Sequence, residues 1–257
     1  MRCFIFFTLF IVYGCKNSEI RVLDDNYKNG NPKRIYYYKD EKDKSSYREE
    51  VYYESGKINY IGNYFNNKKE GVWKWWYENG KLKDKCTFLK GNEIDTIFHW
   101  YENGKLKELS IIKNGIIDKN ASCSSCCNST VSLYYENGNN KQYYTLINSL
   151  LNDTFKTWYE NGKPEKVAYY INDNLEGTLK KYHKNGWWMT RTYKNGICSG
   201  PTTEYQIDSL TNIVSIIKGQ YENNKETGKW IWYNQDSTIS QIRIYSNGKE
   251  ISRKKYN

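Results

Sequence analysis

The sequence predicts an all-β protein, an elongated and twisted antiparallel meander of about nine β-hairpin repeats. Three observations predict it: many aromatic residues, little proline, and a short unit that recurs about every 24 residues. The chain contains 26 Tyr and 9 Trp but only 3 Pro. Tyrosine and tryptophan favour strands, whereas proline cannot donate a hydrogen bond inside a sheet. So high an aromatic content is also untypical of a disordered chain.

The repeating unit is a tyrosine followed by a turn, most clearly Tyr-Glu-Asn-Gly-Lys at Tyr77 and Tyr101. Related units begin at Tyr27, Tyr53, Tyr135, Tyr159, Tyr182 and Tyr245, and Tyr205 and Tyr233 continue the series with degenerate turns. The glycines assigned to these turns are Gly30, Gly56, Gly80, Gly104, Gly138, Gly162, Gly186 and Gly248. Repetition at a fixed period indicates a repeat architecture.

Each Asn-Gly pair is predicted to form a two-residue type I′ hairpin corner, because that turn needs positive φ at both central residues. In the Tyr77 unit this register places Glu78 opposite Lys81 and Tyr77 opposite Leu82. Cross-strand pairs of these kinds stabilise a hairpin by about 0.2–1 kcal/mol each. A second turn, near residues 66–71, 172–177 and 223–228, is expected to return the chain and continue the meander.

The segment Tyr-Glu-Asn-Gly-Lys-Leu-Lys, together with a Gly-Xaa-Trp segment, resembles the bacterial variant of the MORN repeat. The resemblance covers residues 27–250, which we take as the repeat domain. It implies an elongated antiparallel sheet with a concave groove. Members of the variant family are often labelled antitoxins of toxin–antitoxin pairs, and the wider family is associated with membrane attachment and scaffolding.

Residues 1–14 are typical of a lipoprotein signal peptide, since a charged start precedes an apolar run too short to span a bilayer. The end of this segment, Val12-Tyr13-Gly14-Cys15, resembles a lipobox, which implies a lipid on Cys15. The alternative is an ordinary secretory signal with a coincidental cysteine. We therefore expect a chain exported and anchored in a bacterial envelope, with residues 15–26 as a tether and 251–257 as a C-terminal tail.

Two aromatic rows follow from strand alternation, which points successive side chains to opposite faces. The repeat tyrosines are expected to form a buried row. The residues before them form the candidate ligand-facing row: Tyr52, Trp76, Trp100, Tyr134, Trp158 and Trp232. Regularly spaced exposed rings rimmed by lysine suit a sugar or a protein partner. The alternative is that they only shield the sheet.

An insertion at residues 116–131 contains Cys123, Cys126 and Cys127. Apart from Cys3 and Cys15, the remaining cysteines are Cys86 and Cys198. Export favours disulfides among these five, and their odd number leaves one thiol free or paired between molecules. A metal site, a redox pair and unpaired thiols are alternatives, although no second cysteine pair or nearby histidine completes a zinc site.

Catalysis is not predicted, because His99 and His183 lie in different repeats without a nucleophile-and-acid pattern. No phosphate loop or nucleotide fingerprint is present, and no cofactor or metal is predicted. The formal charge of +10 is dispersed, which favours solvated strand faces, with a polyanion site as the alternative.

The predicted function is a lipid-anchored, non-catalytic binding or scaffold module for a protein or glycan partner. The alternatives are an antitoxin or immunity protein that neutralises a toxin domain and a membrane-surface scaffold. Nucleic acid is disfavoured as a partner, because an exported chain meets little of it. Open sheet edges also allow end-to-end association.

Overall fold

The computed structural model describes residues 19–113, 128–207 and 214–256. In these ranges the chain forms one sheet of nineteen strands. The strands are β1 (Ile20–Asn26), β2 (Pro32–Tyr38), β3 (Tyr47–Tyr52), β4 (Ile58–Phe65), β5 (Lys68–Trp76), β6 (Leu82–Leu89), β7 (Asn92–Trp100), β8 (Leu106–Lys113), β9 (Asn128–Tyr134), β10 (Asn140–Ile147), β11 (Leu150–Trp158), β12 (Pro164–Ile171), β13 (Asn174–Tyr182), β14 (Trp188–Lys194), β15 (Ile197–Ile207), β16 (Val214–Glu222), β17 (Lys225–Tyr233), β18 (Ile239–Ser246) and β19 (Lys249–Lys255).

Each strand pairs antiparallel with the next one along the chain, from β1–β2 to β18–β19. The predicted all-β antiparallel meander is confirmed. The sheet extends beyond the predicted repeat domain, because β1 lies in the expected tether and most of β19 lies in the expected tail. Both are edge strands rich in charged residues, so neither shows the apolar alternation that marks a strand in the sequence. β9 likewise begins inside the predicted insertion. No helix long and apolar enough to cross a membrane occurs in the described ranges.

The tyrosine corners are not the predicted two-residue turns. At Tyr77 the carbonyl accepts a hydrogen bond from the Gly80 amide at 2.9 Å, and the Tyr77 amide donates to the Lys81 carbonyl at 2.9 Å. Gly80 has a φ of +85°, whereas φ is not positive at Glu78 or Asn79. This pattern is a type I turn followed by a G1 bulge, a three-residue corner. Corners of this kind also follow Tyr27, Tyr53, Tyr101, Tyr135, Tyr159, His183 and Asn234.

Type I′ turns occur at the opposite edge of the sheet, where both central residues have positive φ. These two-residue corners are Asn66-Asn67, Lys90-Gly91, Asn148-Ser149, Asn172-Asp173, Asn195-Gly196, Asn223-Asn224 and Asn247-Gly248. Gly248, assigned from the sequence to the tyrosine series, therefore belongs to the other edge. At Asn247-Gly248 the predicted type I′ turn is correct.

The three-residue corner shifts the register of each hairpin by one residue. Trp76, and not Tyr77, is the partner of Leu82, while Glu78 lies in the loop and Tyr77 faces Lys81. The predicted Glu78–Lys81 and Tyr77–Leu82 pairs are therefore wrong. An aromatic residue still meets an aliphatic one across the hairpin, so the expected kind of contact survives with a different residue.

Most of the core lies on one face of the sheet, which we call the core face and define by Trp73 and Cys86, cross-strand partners in β5 and β6. Its buried side chains sit near the middle of the strands and do not include the repeat tyrosines, which are half-buried. The apolar residues include Trp73, Cys86, Phe88, Ile97, Ile112, Val131, Ala168, Leu179, Ile217 and Trp230. Trp73, at 1% exposure, contacts Tyr60, Tyr64, Trp75 and Phe88.

Two tryptophans pack directly over glycines on the preceding strand. A Cβ atom added at Gly62 would lie 2.1 Å from Cδ2 of Trp73, and one at Gly219 would lie 2.2 Å from Cδ2 of Trp230. Neither glycine has a positive φ. Glycine is therefore required at these positions by the space that the indole ring fills and not by backbone conformation.

Candidate binding surface

The repeat tyrosines link each three-residue corner to the next one. Their hydroxyls donate to the main-chain carbonyl of the residue just before the next corner, at 2.7–2.9 Å. Tyr77, for example, donates to Trp100 at 2.7 Å. Desolvation is the main cause that raises the pKa of Tyr77. The hydroxyl thus stays protonated and remains a donor at neutral pH.

We call these corner-to-corner hydrogen bonds the corner ladder, and asparagine and lysine side chains add to it. Asn79 Nδ2 donates to the Glu102 carbonyl at 3.0 Å, and its Oδ1 accepts from the Lys81 amide at 2.9 Å. Lys81 Nζ donates to the Asn103 carbonyl at 2.8 Å. The side chains of the repeated Tyr-Glu-Asn-Gly-Lys unit therefore satisfy carbonyls that the exposed corners would otherwise leave to water. These hydrogen bonds to the main chain explain why the unit is repeated, without any bound ligand.

We expect Tyr77→Phe to lower the free energy of unfolding by about 1 kcal/mol, because one hydrogen bond to the Trp100 carbonyl is lost. Urea denaturation measures the change. Tyr169→Phe is the matched control, because Tyr169 is 44% exposed; we expect it to change stability by less than about 0.5 kcal/mol. Equal losses in the two variants would show that the corner ladder contributes nothing.

A lysine-rich row runs along the opposite face, which we call the outer face and define by Lys74 and Lys85. Successive strand pairings place one residue per strand in this row. From β2 to β19 the row is Ile35, Glu50, Ile61, Lys74, Lys85, Phe98, Leu109, Ser132, Tyr143, Lys156, Val167, Lys180, Thr190, Thr203, Lys218, Ile231, Ile242 and Lys254. At about 4.8 Å per strand it is roughly 80 Å long.

Glu50 is the only carboxylate among the row residues just named. It is buried and accepts hydrogen bonds from Arg48 at 2.8 Å, Tyr37 at 3.0 Å and Tyr52 at 2.5 Å. From β4 onward the described part of the row contains lysines and no acidic residue. The row is therefore cationic from β4 onward, whereas the core face mixes both signs, as in the Arg191–Glu204 pair at 3.2 Å.

Five of the six predicted ligand-facing aromatics lie on the outer face. Each is two residues from a row residue on its own strand, and each is half-buried: Tyr52, Trp76, Trp100, Tyr134 and Trp158. Trp100 stacks on Phe98 with ring centroids 5.5 Å apart. Their partial burial supports shielding of the sheet, and their exposed fraction leaves a ring every second strand for a partner.

Trp232 does not belong to this group. The corner that follows it begins at Asn234, so Trp232 is two residues before a corner and lies on the core face, 6.4 Å from Trp230 between ring centroids. Tyr233 takes the expected outer position, and Tyr182 does so at an earlier corner, where His183 replaces the corner tyrosine. A one-residue offset in the alignment reverses the face of a strand residue.

A histidine–carboxylate pair on the core face was missed in the sequence. His99 Nδ1 lies 2.5 Å from Asp84 Oδ1, because Asp84 and His99 are direct partners in β6 and β7. Together with Trp75, Cys86, Glu93 and Ile97, the pair lines a cavity of about 160 Å³. The hydrogen bond to the Asp84 carboxylate raises the pKa of His99 above its usual range, and partial desolvation opposes this shift.

We expect Asp84→Asn to lower the pKa of His99, since it removes the main stabilising partner of the imidazolium and leaves the desolvation. Because the folded-state pKa is raised, the pair stabilises the protein at pH values below about 6.5, and that contribution is lost as pH rises through the raised pKa. The effect on stability is modest, since the His99 side chain is 39% exposed.

NMR titration of His99 in both proteins measures the shift, with His183, whose pKa is lowered mainly by desolvation, as the internal control. An unchanged pKa of His99 would contradict the assignment. A His183 shift of equal size would instead indicate a global change of structure.

Cys86 and Cys198 are both buried on the core face, in β6 and β15. Nine strand positions separate them in the meander, so they do not form a disulfide with each other in one molecule. Cys198 has a free thiol, and burial raises its pKa, which disfavours the reactive thiolate. Cys3, Cys15, Cys123, Cys126 and Cys127 lie outside the described residues, so the lipid and loop-disulfide assignments stay predictions. Among the described residues, no group of three or more His, Cys, Asp or Glu side chains could hold a metal ion.

Four segments match the family model described as the MORN repeat variant: residues 48–66, 69–90, 96–114 and 154–172. Each match contains one three-residue corner and the strands on either side of it. No curated protein matches the chain. A solved structure titled "Crystal Structure of TcdB2-TccC3-TEV" is similar at 10% identity and a TM-score of 0.23, over 91% of this chain and 15% of that chain. The chain thus spans a small part of that structure. MORN-variant repeats at four hairpins indicate a repeat-based binding or scaffold module.

Proposed function

We propose that this chain is an exported, non-catalytic binding module, anchored through a lipid on Cys15, that holds a protein or glycan partner on its outer face. The observation that carries the proposal is the lysine row, which contains six lysines and no carboxylate from β4 onward. Half-buried aromatic rings accompany it. Aromatic rings that remain partly open to solvent anchor partners at interfaces, and a row of one charge sign attracts a partner of the opposite sign.

The anchor is tested by expressing the full chain and a Cys15→Ser variant in a Gram-negative bacterium with labelled palmitate. We expect the unaltered chain to be labelled and to occur in the membrane fraction. We expect the variant to be unlabelled and absent from that fraction. Unlabelled protein in the soluble fraction in both cases would contradict anchoring.

The binding surface is tested with envelope extracts applied to the immobilised chain. We expect Lys156→Glu combined with Lys180→Glu, both in the lysine row, to release the captured partner, because two attractive charges become repulsive. Lys28→Glu combined with Lys42→Glu makes the same charge change in exposed loops away from the row and is the matched control. A partner retained by the row variant and lost by the control would place binding elsewhere.

A membrane-surface scaffold is the second candidate, and exposed apolar residues near the two-residue corners favour it. Phe65 is 59% exposed, Ile171 46% and Leu89 41%. This function requires salt-sensitive binding to anionic vesicles by the chain without its anchor. The antitoxin alternative requires instead that the chain protect cells from a co-expressed toxin encoded by the neighbouring gene.

A further inference from the structure

A shallow cavity on the outer face has two lysines as its only charged lining residues. It has a volume of about 460 Å³ and is lined by Ile61, Val72, Lys74, Trp76 and Lys85. Lys74 and Lys85 are direct cross-strand partners. Like charges placed directly opposite each other destabilise a sheet, and no carboxylate lines this cavity to offset them. An anion bound between the two ammonium groups would relieve that repulsion.

The rest of the lining is apolar and aromatic. Val72 is 45% exposed, and Trp76 is half-buried on the same face as Lys74 because the two are two residues apart on one strand. Lys85 Nζ lies 5.6 Å from the centroid of Phe98, the next residue of the lysine row. A small inorganic anion would gain no favourable contact from these apolar and aromatic side chains. A sugar that carries an acidic group would, since its ring faces stack on indole and its carboxylate pairs with lysine.

The same combination recurs along the sheet. The half-buried outer-face rings that precede three-residue corners occur on every second strand, about 10 Å apart. That interval is comparable with a disaccharide unit of an extended polysaccharide. Lys156 lies beside Trp158 and Lys180 beside Tyr182, each two residues away on the same strand. The arrangement therefore repeats along one direction, which suits a linear polymer better than a single sugar.

We propose that the outer face binds an extended acidic polysaccharide along the lysine row, with one carboxylate held between Lys74 and Lys85 and its sugar ring on Trp76. This inference rests on the proposed function and names the class of its partner. The charge complementarity of the row selects an acidic chain over a neutral one, and the aromatic rings select sugar rings over a bare polyanion.

The test is calorimetry of the full chain with oligogalacturonate, and with a neutral cello-oligosaccharide as the reference ligand. We expect Lys74→Gln combined with Lys85→Gln to weaken oligogalacturonate binding about tenfold or more, because two charge-assisted contacts are lost. Lys28→Gln combined with Lys42→Gln is the control for net charge, and we expect unchanged binding. Thermal melts of both variants establish that they are folded. Trp76→Leu is expected to weaken binding of both sugars.

Equal affinity for the neutral and acidic sugars, or no loss in the folded Lys74/Lys85 variant, would overturn the inference. So would tighter binding to anionic vesicles or single-stranded DNA through the same two lysines. If the chain captures an envelope partner but does not bind oligogalacturonate, the polysaccharide inference fails and the proposed function stands. If it binds neither, both fail.

Discussion

The Trp73→Ala variant is expected to lose about 3–5 kcal/mol of unfolding free energy, because the substitution empties the centre of the core. Trp73 is 1% exposed, lies among the rings of Tyr60, Tyr64 and Trp75, and donates from Nε1 to the Asn63 carbonyl at 3.1 Å. Within the described residues no second layer packs on the core face to close the cavity. The loss should therefore lie in the upper half of that range.

Urea denaturation followed by circular dichroism measures the change. Phe65→Ala is the control, because it removes an aromatic ring that is 59% exposed, and we expect a change within about 0.5 kcal/mol. If the two variants lose similar stability, Trp73 is not the centre of the core. Because a repeat sheet can unfold in parts, an early transition restricted to β3–β7 also counts as support.

The Gly62→Ala variant is expected to lose about 2–3 kcal/mol, because its new methyl group would lie 2.1 Å from the Trp73 ring. The cause is steric, so shrinking the ring should relieve it. We expect Trp73→Leu to cost much less in the Gly62→Ala background than in the unaltered chain, which a double-mutant cycle measures.

Gly71→Ala is the comparison for Gly62→Ala. Gly71 has a φ of +69° and no atom within 4 Å of the added Cβ, so its loss, about 1–2 kcal/mol, comes from backbone strain alone. Trp73→Leu should not relieve it. Additive effects of Gly62→Ala and Trp73→Leu would contradict the packing argument. Gly219→Ala, under Trp230, should behave like Gly62→Ala.

The hairpin meander could be predicted because every repeat contains its own turn signal beside strand-forming residues. The turn type could not, since Asn-Gly suits both a type I′ turn and a type I turn with a G1 bulge, and both place the glycine at a positive φ. The structure has the second type at Gly80 and the first at Gly248. The choice decides which residue faces Leu82, so the predicted pairs moved by one position.

The candidate site was predictable where the repeat is regular and not where it drifts. Trp76, Trp100 and Trp158 were placed on one face by counting back from the corner tyrosine, and they do share it. The same count failed at Trp232, because the corner begins one residue later at Asn234. His99 and Asp84 could not be paired from the sequence, because the register between β6 and β7 shifts between Lys85 and Thr87 of β6.

Among the nineteen described strands, each hydrogen-bonds only to its sequence neighbours, and this has a consequence for the evolution of the chain. Adding or removing a whole hairpin changes two junctions and leaves every other pairing intact. The number of repeats therefore sets how many outer-face rings lie in line, and the length of the sheet can change in steps of one hairpin. Duplication of one hairpin within the gene can therefore lengthen the sheet without changes to the core residues of the other hairpins.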